Sequence, residues 1–516
     1  MLIWALVIAV LTFAPLSLAF TRLVSLAPHI PLGWRARTAW FPAIGSGLAL
    51  LATWALMLLL NEPATVPLLG GLFLSSMGVP LALNLPLPGL VILAAWASIQ
   101  LAQVLSARQP ASAQQLVAWL SLPALALVVA PNNLLTLLVG LGGLDGLMLL
   151  AALSQACDAR AALTRYILHS VSLVLMFAFV VAHTNTGSSL VLDRAQLASP
   201  AAEVFVLSAM LRLGIIHAAA AAPKPADLLA LAGGLGLLSL LSTMQATPPP
   251  AWFAVATAAS AGLNGLSALA TQTPALSKGK VLLGSAQWAA LAALSSRPWA
   301  AASAAAVWLV SSAWLLEQHA PPSQVWLRRV SAVGAIGAPL ATFVLAQAPG
   351  DATLPSLGTV LTMLVMIAIG GVNLAALWRL AAHQSAQSSA RAHLGAIAAP
   401  AFMSLQWLAT LALWLAHGPV QDADVTAAAL NIVGIMLLTA GGWALHRVRT
   451  NSADAAGEAL ARASSVEWVV SLIAGALKQL CQPFRNWFDL LEREGVLLWA
   501  IAAALLILLF STSTRQ

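Results

Sequence analysis

Runs of about twenty apolar residues, separated by short charged connections, recur along nearly the whole chain, and they constrain the fold more than any other feature. In lipid, every backbone amide and carbonyl must find its partner inside the segment, so runs of this length have to be helices. They lie near 1–20, 41–60, 87–107, 115–130, 133–154, 163–183, 201–221, 227–246, 251–271, 280–296, 299–317, 328–348, 355–381, 393–417, 424–446 and 496–511. The expected fold class is all-α, a polytopic transmembrane helix bundle of about 14 to 16 spans in 516 residues. Composition agrees: 60% of residues are hydrophobic, 8% are charged and the mean hydropathy is +0.91. A soluble domain carries about 25% charged residues, so soluble multidomain enzymes, secreted scaffolds and nucleic-acid binders are excluded.

The net charge of +7 does not point to a polyanionic partner, because the basic residues are scattered through connections and helix ends. It reads as membrane topology. Residues 1–20 lack a basic leading segment and a cleavage site, so they form a first spanning helix and not a cleaved signal. Positive-inside counting puts the Arg22 to Arg37 connection in the cytoplasm and the N-terminus outside. The Pro- and Gly-rich stretch from Pro63 to Pro88 can span, re-enter or lie flat, and the parity of every later helix depends on which. Three parts are expected: a bundle over 1–446, an amphipathic interfacial segment over 447–494, and a final helix with a short tail over 495–516. Nineteen Trp against one Tyr fit interfacial anchoring belts.

Ionisable residues inside apolar runs are expensive, so each is a functional candidate. Asp145 lies near the middle of NNLLTLLVGLGGLDGLMLLAAL, as either a buried proton-relay carboxylate or a helix–helix contact to a hydroxyl or Arg. Arg212 and His217 share the run VFVLSAMLRLGIIHAAAAA, where they either relay protons or line a polar crevice. Lys278 and Lys280 open SKGKVLLGSAQWAALAAL, as a buried cation pair or as headgroup-facing lysines. These five are the candidate ion or proton path. Glu317, Arg379 and His446 sit beside connections and are expected to be solvated.

No catalytic constellation accompanies them. There is no phosphate-binding glycine loop, zinc-protease motif or nucleophile elbow. Cys157 and Cys481 lack metal-ligand spacing, and the histidines fall one per segment at unrelated intervals. No cofactor and no metal is expected.

Three segments, in order, resemble one family, the antiporter-like proton-conducting membrane subunits of respiratory complex I, membrane-bound hydrogenases and Mrp-type sodium/proton antiporters. PNNLLTLLVG, from Pro131 to Gly140, resembles the opening of that family's fifth helix. LSAMLRLGIIHAAAAAPKPADLLALAGGLGLLSLL resembles its Lys-Ser-Ala-Gln-x-Pro-x-His passage and the Pro-x-Pro loop, with Arg212 at the lysine, His217 at the histidine and Pro223 to Pro225 at the loop. SAGLNGLSALATQTPALSKGKVLLGSAQWAALAAL, from Ser260 to Leu294, resembles its small-residue run into Asp-Leu-Lys-Arg. The likeness covers roughly residues 115–300.

The departures are specific. The family's carboxylate register falls on Gly142, with Asp145 nearly one turn further on; its seventh-helix lysine falls in Ala232-Gly233-Gly234; and Gln406 stands where a late helix carries an ionisable group. The resemblance implies an antiporter-like fold with broken helices and a chain of buried Lys, Glu and His residues, which here is depleted. It implies a non-catalytic subunit of a proton-coupled, multisubunit complex, at most part of an NADH:quinone oxidoreductase-like translocase. Its partners would be other membrane subunits, the bilayer and, in some assemblies, a soluble peripheral subunit, in the bacterial inner membrane. The alternative is the membrane partner of an inorganic-carbon uptake complex with a carbonic-anhydrase-like subunit.

Overall fold

In the computed structural model, the described residues are 2–27, 29, 31, 40–60, 64–67, 82–85, 87–106, 112–153, 159–185, 190–192, 196–197, 201–214, 225–243, 245–246, 251–270, 274–294, 298–316, 325–346, 357–385, 394–417 and 425–447. The expected amphipathic segment after Arg447 and the final helix lie outside them. Fifteen helices make up the described bundle: α1 Leu2–Leu26, α2 Phe41–Leu59, α3 Leu87–Ser106, α4 Ser112–Val129, α5 Leu134–Leu153, α6 Ala159–Asn185, α7 Ala201–Arg212, α8 Pro225–Thr243, α9 Ala251–Ala270, α10 Pro274–Ala293, α11 Pro298–Leu316, α12 Val325–Ala346, α13 Leu357–Ser385, α14 Leu394–His417 and α15 Val425–Arg447. Proline opens α8, α10 and α11, where its missing N–H and fixed φ cost nothing.

Eight of these helices, α1, α2, α3, α5, α9, α11, α12 and α13, contain an apolar window long enough to cross a bilayer. The chain is a multi-pass integral membrane protein. Helix α7 is the exception to full length: twelve residues rise only about 18 Å, short of a core about 30 Å thick. It stops inside the bundle, where Gly214 takes a φ of 69° that glycine adopts freely.

Four short strands stitch one end of the bundle. Strands β1 (Ala64–Pro67) and β2 (Ala82–Leu85) pair antiparallel between α2 and α3. Bridges then join Leu83 to Pro131 and Asn133 to Val191, and β3 (Gln196–Leu197), just before α7, pairs in parallel with β4 (Gln245–Ala246), just after α8. These pairings resolve the parity that the Pro- and Gly-rich stretch left open. The β1–β2 pairing returns the chain to the end it left, and the β3–β4 pairing puts the start of α7 beside the end of α8.

With consecutive helices alternating from there, the ends opposite the strands are the basic ones. Among the described residues, the helix ends there carry Arg22, Arg160, Arg165, Lys278, Lys280, Arg328, Arg329, Arg379 and Arg447, whereas those at the stitched end carry no Lys or Arg. By the positive-inside rule, that basic end is the expected cytoplasmic side. The first connection and the end of α15 lie on that same side.

The core is built from small residues and indoles. Helix α11, PWAAASAAAVWLVSSAWLL, is buried from Ala300 to Ser312 and packs against α3, α8, α10, α12 and α14, because alanine and serine let backbones approach closely. Tryptophan does more here than the belts expected of it. Trp4, Trp40, Trp252, Trp326 and Trp443 are exposed, but Trp96, Trp308, Trp407 and Trp414 are buried. Their indole N–H groups donate to Ser121 (3.0 Å), Ser285 (2.9 Å), Ser311 (3.0 Å) and Thr342 (3.0 Å) on neighbouring helices. Each bond satisfies a polar edge that hydrocarbon could not, while the ring fills space.

Candidate functional site

The midplane site begins with how α5 starts. Asn133 caps the helix, its side-chain oxygen accepting from the Thr136 amide (2.8 Å) and the Thr136 hydroxyl (3.0 Å), while the Leu134 amide donates to Leu190 (3.0 Å). The PNN of the resemblance is thus a cap tied into the stitched end. Three turns further along, Asp145 leaves a helix of leucine and glycine and is 3% exposed.

Its partner comes from the broken helix. Arg212 stands in the last turn of α7, where the helix dipole favours a cation. One turn earlier, Ser208 and α6 Ser172 lock α7 in place: each hydroxyl donates to the other's backbone carbonyl, at 3.0 and 2.9 Å. The Leu213 amide closes on Ala209 (3.0 Å), and Gly214 ends the turn. The Arg212 guanidinium then meets the Asp145 carboxylate in a fork, with Nη1 donating to Oδ1 at 2.7 Å and Nη2 to Oδ2 at 2.9 Å. Arg212 is 2% exposed, and its Nε has no hydrogen-bond partner among the described residues. This planar two-bond match is the strongest form such a pair takes.

Of the two readings open for Asp145, the geometry is that of a helix–helix contact to Arg. It lies nearly one turn beyond the register at Gly142 yet still reaches the position where the family carries lysine. The chemistry differs from a Glu–Lys step, because a guanidinium does not lose its proton in a protein.

The next register position is closed by leucine side chains. Where the family's further lysine aligns, α8 presents Gly233 and Gly234. A Cβ on Gly233 would come within 2.8 Å of Leu144 Cδ1, and one on Gly234 within 2.9 Å of Leu213 Cγ. Both neighbours adjoin the ion pair in sequence, so α8 sits directly against α5 and α7 where a base would need room.

Of the remaining candidates, the two lysines lie apart from this pair. His217 lies outside the described residues. Lys278 and Lys280 are in the first turns of α10, at the basic end: Lys280 donates to Ser267 of α9, and Lys278 Nζ reaches the Leu316 carbonyl of α11 at 3.5 Å. Both hydrogen bonds of Asp145 go to Arg212, so no bond joins it to Lys280. Arg379, expected to be solvated, instead donates to the Leu269 carbonyl at the end of α9, because that helix end leaves carbonyls without intrahelical partners.

Between the two groups the polar residues are neutral. Gln287 donates to Ser260 (2.9 Å) and accepts from Asn264 (3.4 Å), and Asn373 of α13 donates to the Ala261 (3.0 Å) and Ile369 (3.1 Å) carbonyls. Glycines 265 and 284 make room for Asn373, since a Cβ on either would fall within 3.0 Å of its amide. Gln406 is buried on α14. Sequence reasoning passed over Asn373; a single amide in the apolar run MLVMIAIGGVNLAALW was its signal.

No protein-family model and no curated protein matches the sequence. Solved structures do match. A chain of the Mrp complex from Dietzia sp. DQ12-45-1b superposes with a TM-score of 0.63 at 13% identity, over 93% of this chain and 60% of that one. A chain of the membrane-bound sulfane sulfur reductase, an archaeal respiratory membrane complex, gives 0.53 at 14% identity, over 78% and 75%. A chain of respiratory complex I from Thermus thermophilus gives 0.45 at 18% identity, over 90% and 99%. This chain thus spans 60% of the length of the Mrp chain it matches. At these identities the likeness to the first two is one of fold: an all-helical membrane bundle.

Proposed function

We propose that this chain is a non-catalytic membrane subunit of a multisubunit ion-translocating complex, with its own proton path closed at the Asp145–Arg212 step. The carrying observation is the buried forked pair in a fold shared with chains of the Mrp and sulfane sulfur reductase complexes. A proton relay needs a group that gains and loses a proton at each step, and Arg212 stays charged throughout. Gly233 and Gly234 leave no base beyond it. Asp145, Arg212, His217, Lys278 and Lys280 then serve as structural ties and surface charges, and the bundle acts as a scaffold or coupling element beside conducting sisters.

Partners would be other membrane subunits, in the bacterial inner membrane. Exposed apolar faces suit both lipid and such neighbours; Val171, Val174 and Phe177 on α6 are one example and Leu361, Leu364 and Val365 on α13 another. The segment over 447–494 would brace a neighbour, with 495–516 as the last crossing. The test is purification of the tagged full chain in gentle detergent from its native membrane, with every co-purifying chain identified by mass spectrometry. Recovery with redox or antiporter-like sister subunits is the expected result. Recovery with a zinc-binding soluble partner would move the assignment to inorganic-carbon uptake, and recovery of the chain alone would overturn a complex-bound role.

A further inference from the structure

At the basic end, three helices bring four cations together against the membrane surface. Lys278 enters from the start of α10 and reaches the last carbonyl of α11. Arg328 enters from the start of α12, is 2% exposed, and lies close enough to Lys278 for the two charges to repel. Arg329, its neighbour, points outward. Its backbone carbonyl accepts from Trp378 of α13 (3.0 Å), which places Arg379, the next residue, at the same edge. Helices α10, α12 and α13 pack on one another, so the four cations share one corner. Helix packing that holds like charges together at a protein surface creates a local potential suited to an anion.

The outer side of this corner is apolar. Trp326, Arg329 and Val330 are exposed at positions three and four apart on α12, hence on one face. Trp326, at the start of α12, sits nearest the head groups, and Arg329, one turn deeper, can extend its guanidinium back toward them while Val330 faces the acyl chains.

We propose that Lys278, Arg329 and Arg379, with Trp326, form a binding site for the phosphate head group of an anionic phospholipid on the cytoplasmic face, with the buried Arg328 behind them adding to the positive potential. The occupant is a lipid and not a free anion, because Trp326 and Val330 offer surface to acyl chains, which inorganic phosphate lacks. The site does not depend on the subunit role proposed above, since it uses only the bundle and its bilayer.

The test uses the full chain in nanodiscs of phosphatidylcholine with a tenth phosphatidylglycerol, with retained lipids counted by native mass spectrometry. The expected result is selective retention of phosphatidylglycerol, reduced about fivefold by Arg329→Gln and again by Lys278→Gln, and reduced by Trp326→Ala. Arg22→Gln, a change near the end of α1 on the same side, should leave retention intact. Arg329 is exposed, so its substitution leaves the fold in place, and a matching gel-filtration profile and indole emission verify this. Unchanged retention in Arg329→Gln, or an equal loss in Arg22→Gln, would overturn the proposal by reducing it to a general surface attraction. Displacement of the retained phosphatidylglycerol from these discs by millimolar inorganic phosphate would overturn it in favour of a free-anion site.

Discussion

The forked pair between Asp145 and Arg212 can be tested as a charge interaction and not merely a contact. Asp145→Asn keeps the shape of the side chain while removing its charge, and Arg212→Met keeps most of the stem while removing the guanidinium. Both groups are almost fully buried, at 3% and 2% exposure, so either single change strands the partner's charge in the bundle. With charge centres roughly 4 Å apart at an effective dielectric constant near 20, the attraction is about 4 kcal/mol. Stranding one member of a buried pair costs about 3–5 kcal/mol. The double variant strands nothing and should be less costly than either single one. The coupling expected from the cycle is therefore at least about 3 kcal/mol, against about 0.6 kcal/mol for an ordinary interhelical hydrogen bond in a membrane protein. Reversible unfolding of the full chain in mixed dodecyl maltoside and dodecyl sulfate micelles, followed by circular dichroism, measures all four corners. Single variants within about 0.5 kcal/mol of the parent, or costs that simply add, would refute the claim that this pair holds α7 to α5.

Two further predictions follow from the neighbouring elements. Gly233→Lys returns a base to the family's register but places a Cβ 2.8 Å from Leu144 Cδ1. It should cost about 1–3 kcal/mol through overpacking, and a pH-dye assay on proteoliposomes should register no new proton flux; flux gained by this change alone would show that Arg212 does not close the path. The assigned orientation predicts that, with Cys157 and Cys481 replaced by Ser, Thr65→Cys reacts with an impermeant maleimide from the periplasmic side. Arg329→Cys should react only after the membrane is opened. The reverse pattern would invert the bundle.

Much of the candidate site was legible in local sequence, because charge in an apolar run stands out at any register. Asp145 and Arg212 were visible for that reason, and so was the absence of a lysine at Gly233. That they bind each other was not visible: they lie 67 residues apart, and their meeting depends on where α7 breaks and how Ser172 and Ser208 clamp it to α6. Lys280 and Asp145, which the resemblance would run along one wire, make their bonds on different helices. The indoles carried no sequence signal for their role, since a tryptophan facing lipid and one donating to a serine in the core read alike.

Hydropathy by itself determined that the chain crosses a membrane many times as helices, because a backbone in lipid has no other way to satisfy its hydrogen bonds. Only the tertiary structure decided which side each helix end faces, since the β1–β2 and β3–β4 pairings fix parity through contacts between residues up to 49 positions apart. It also decided that the two midplane charges neutralise each other. Burial makes a charge conspicuous in any sequence, whereas its partner is chosen by packing, which sequence order does not encode.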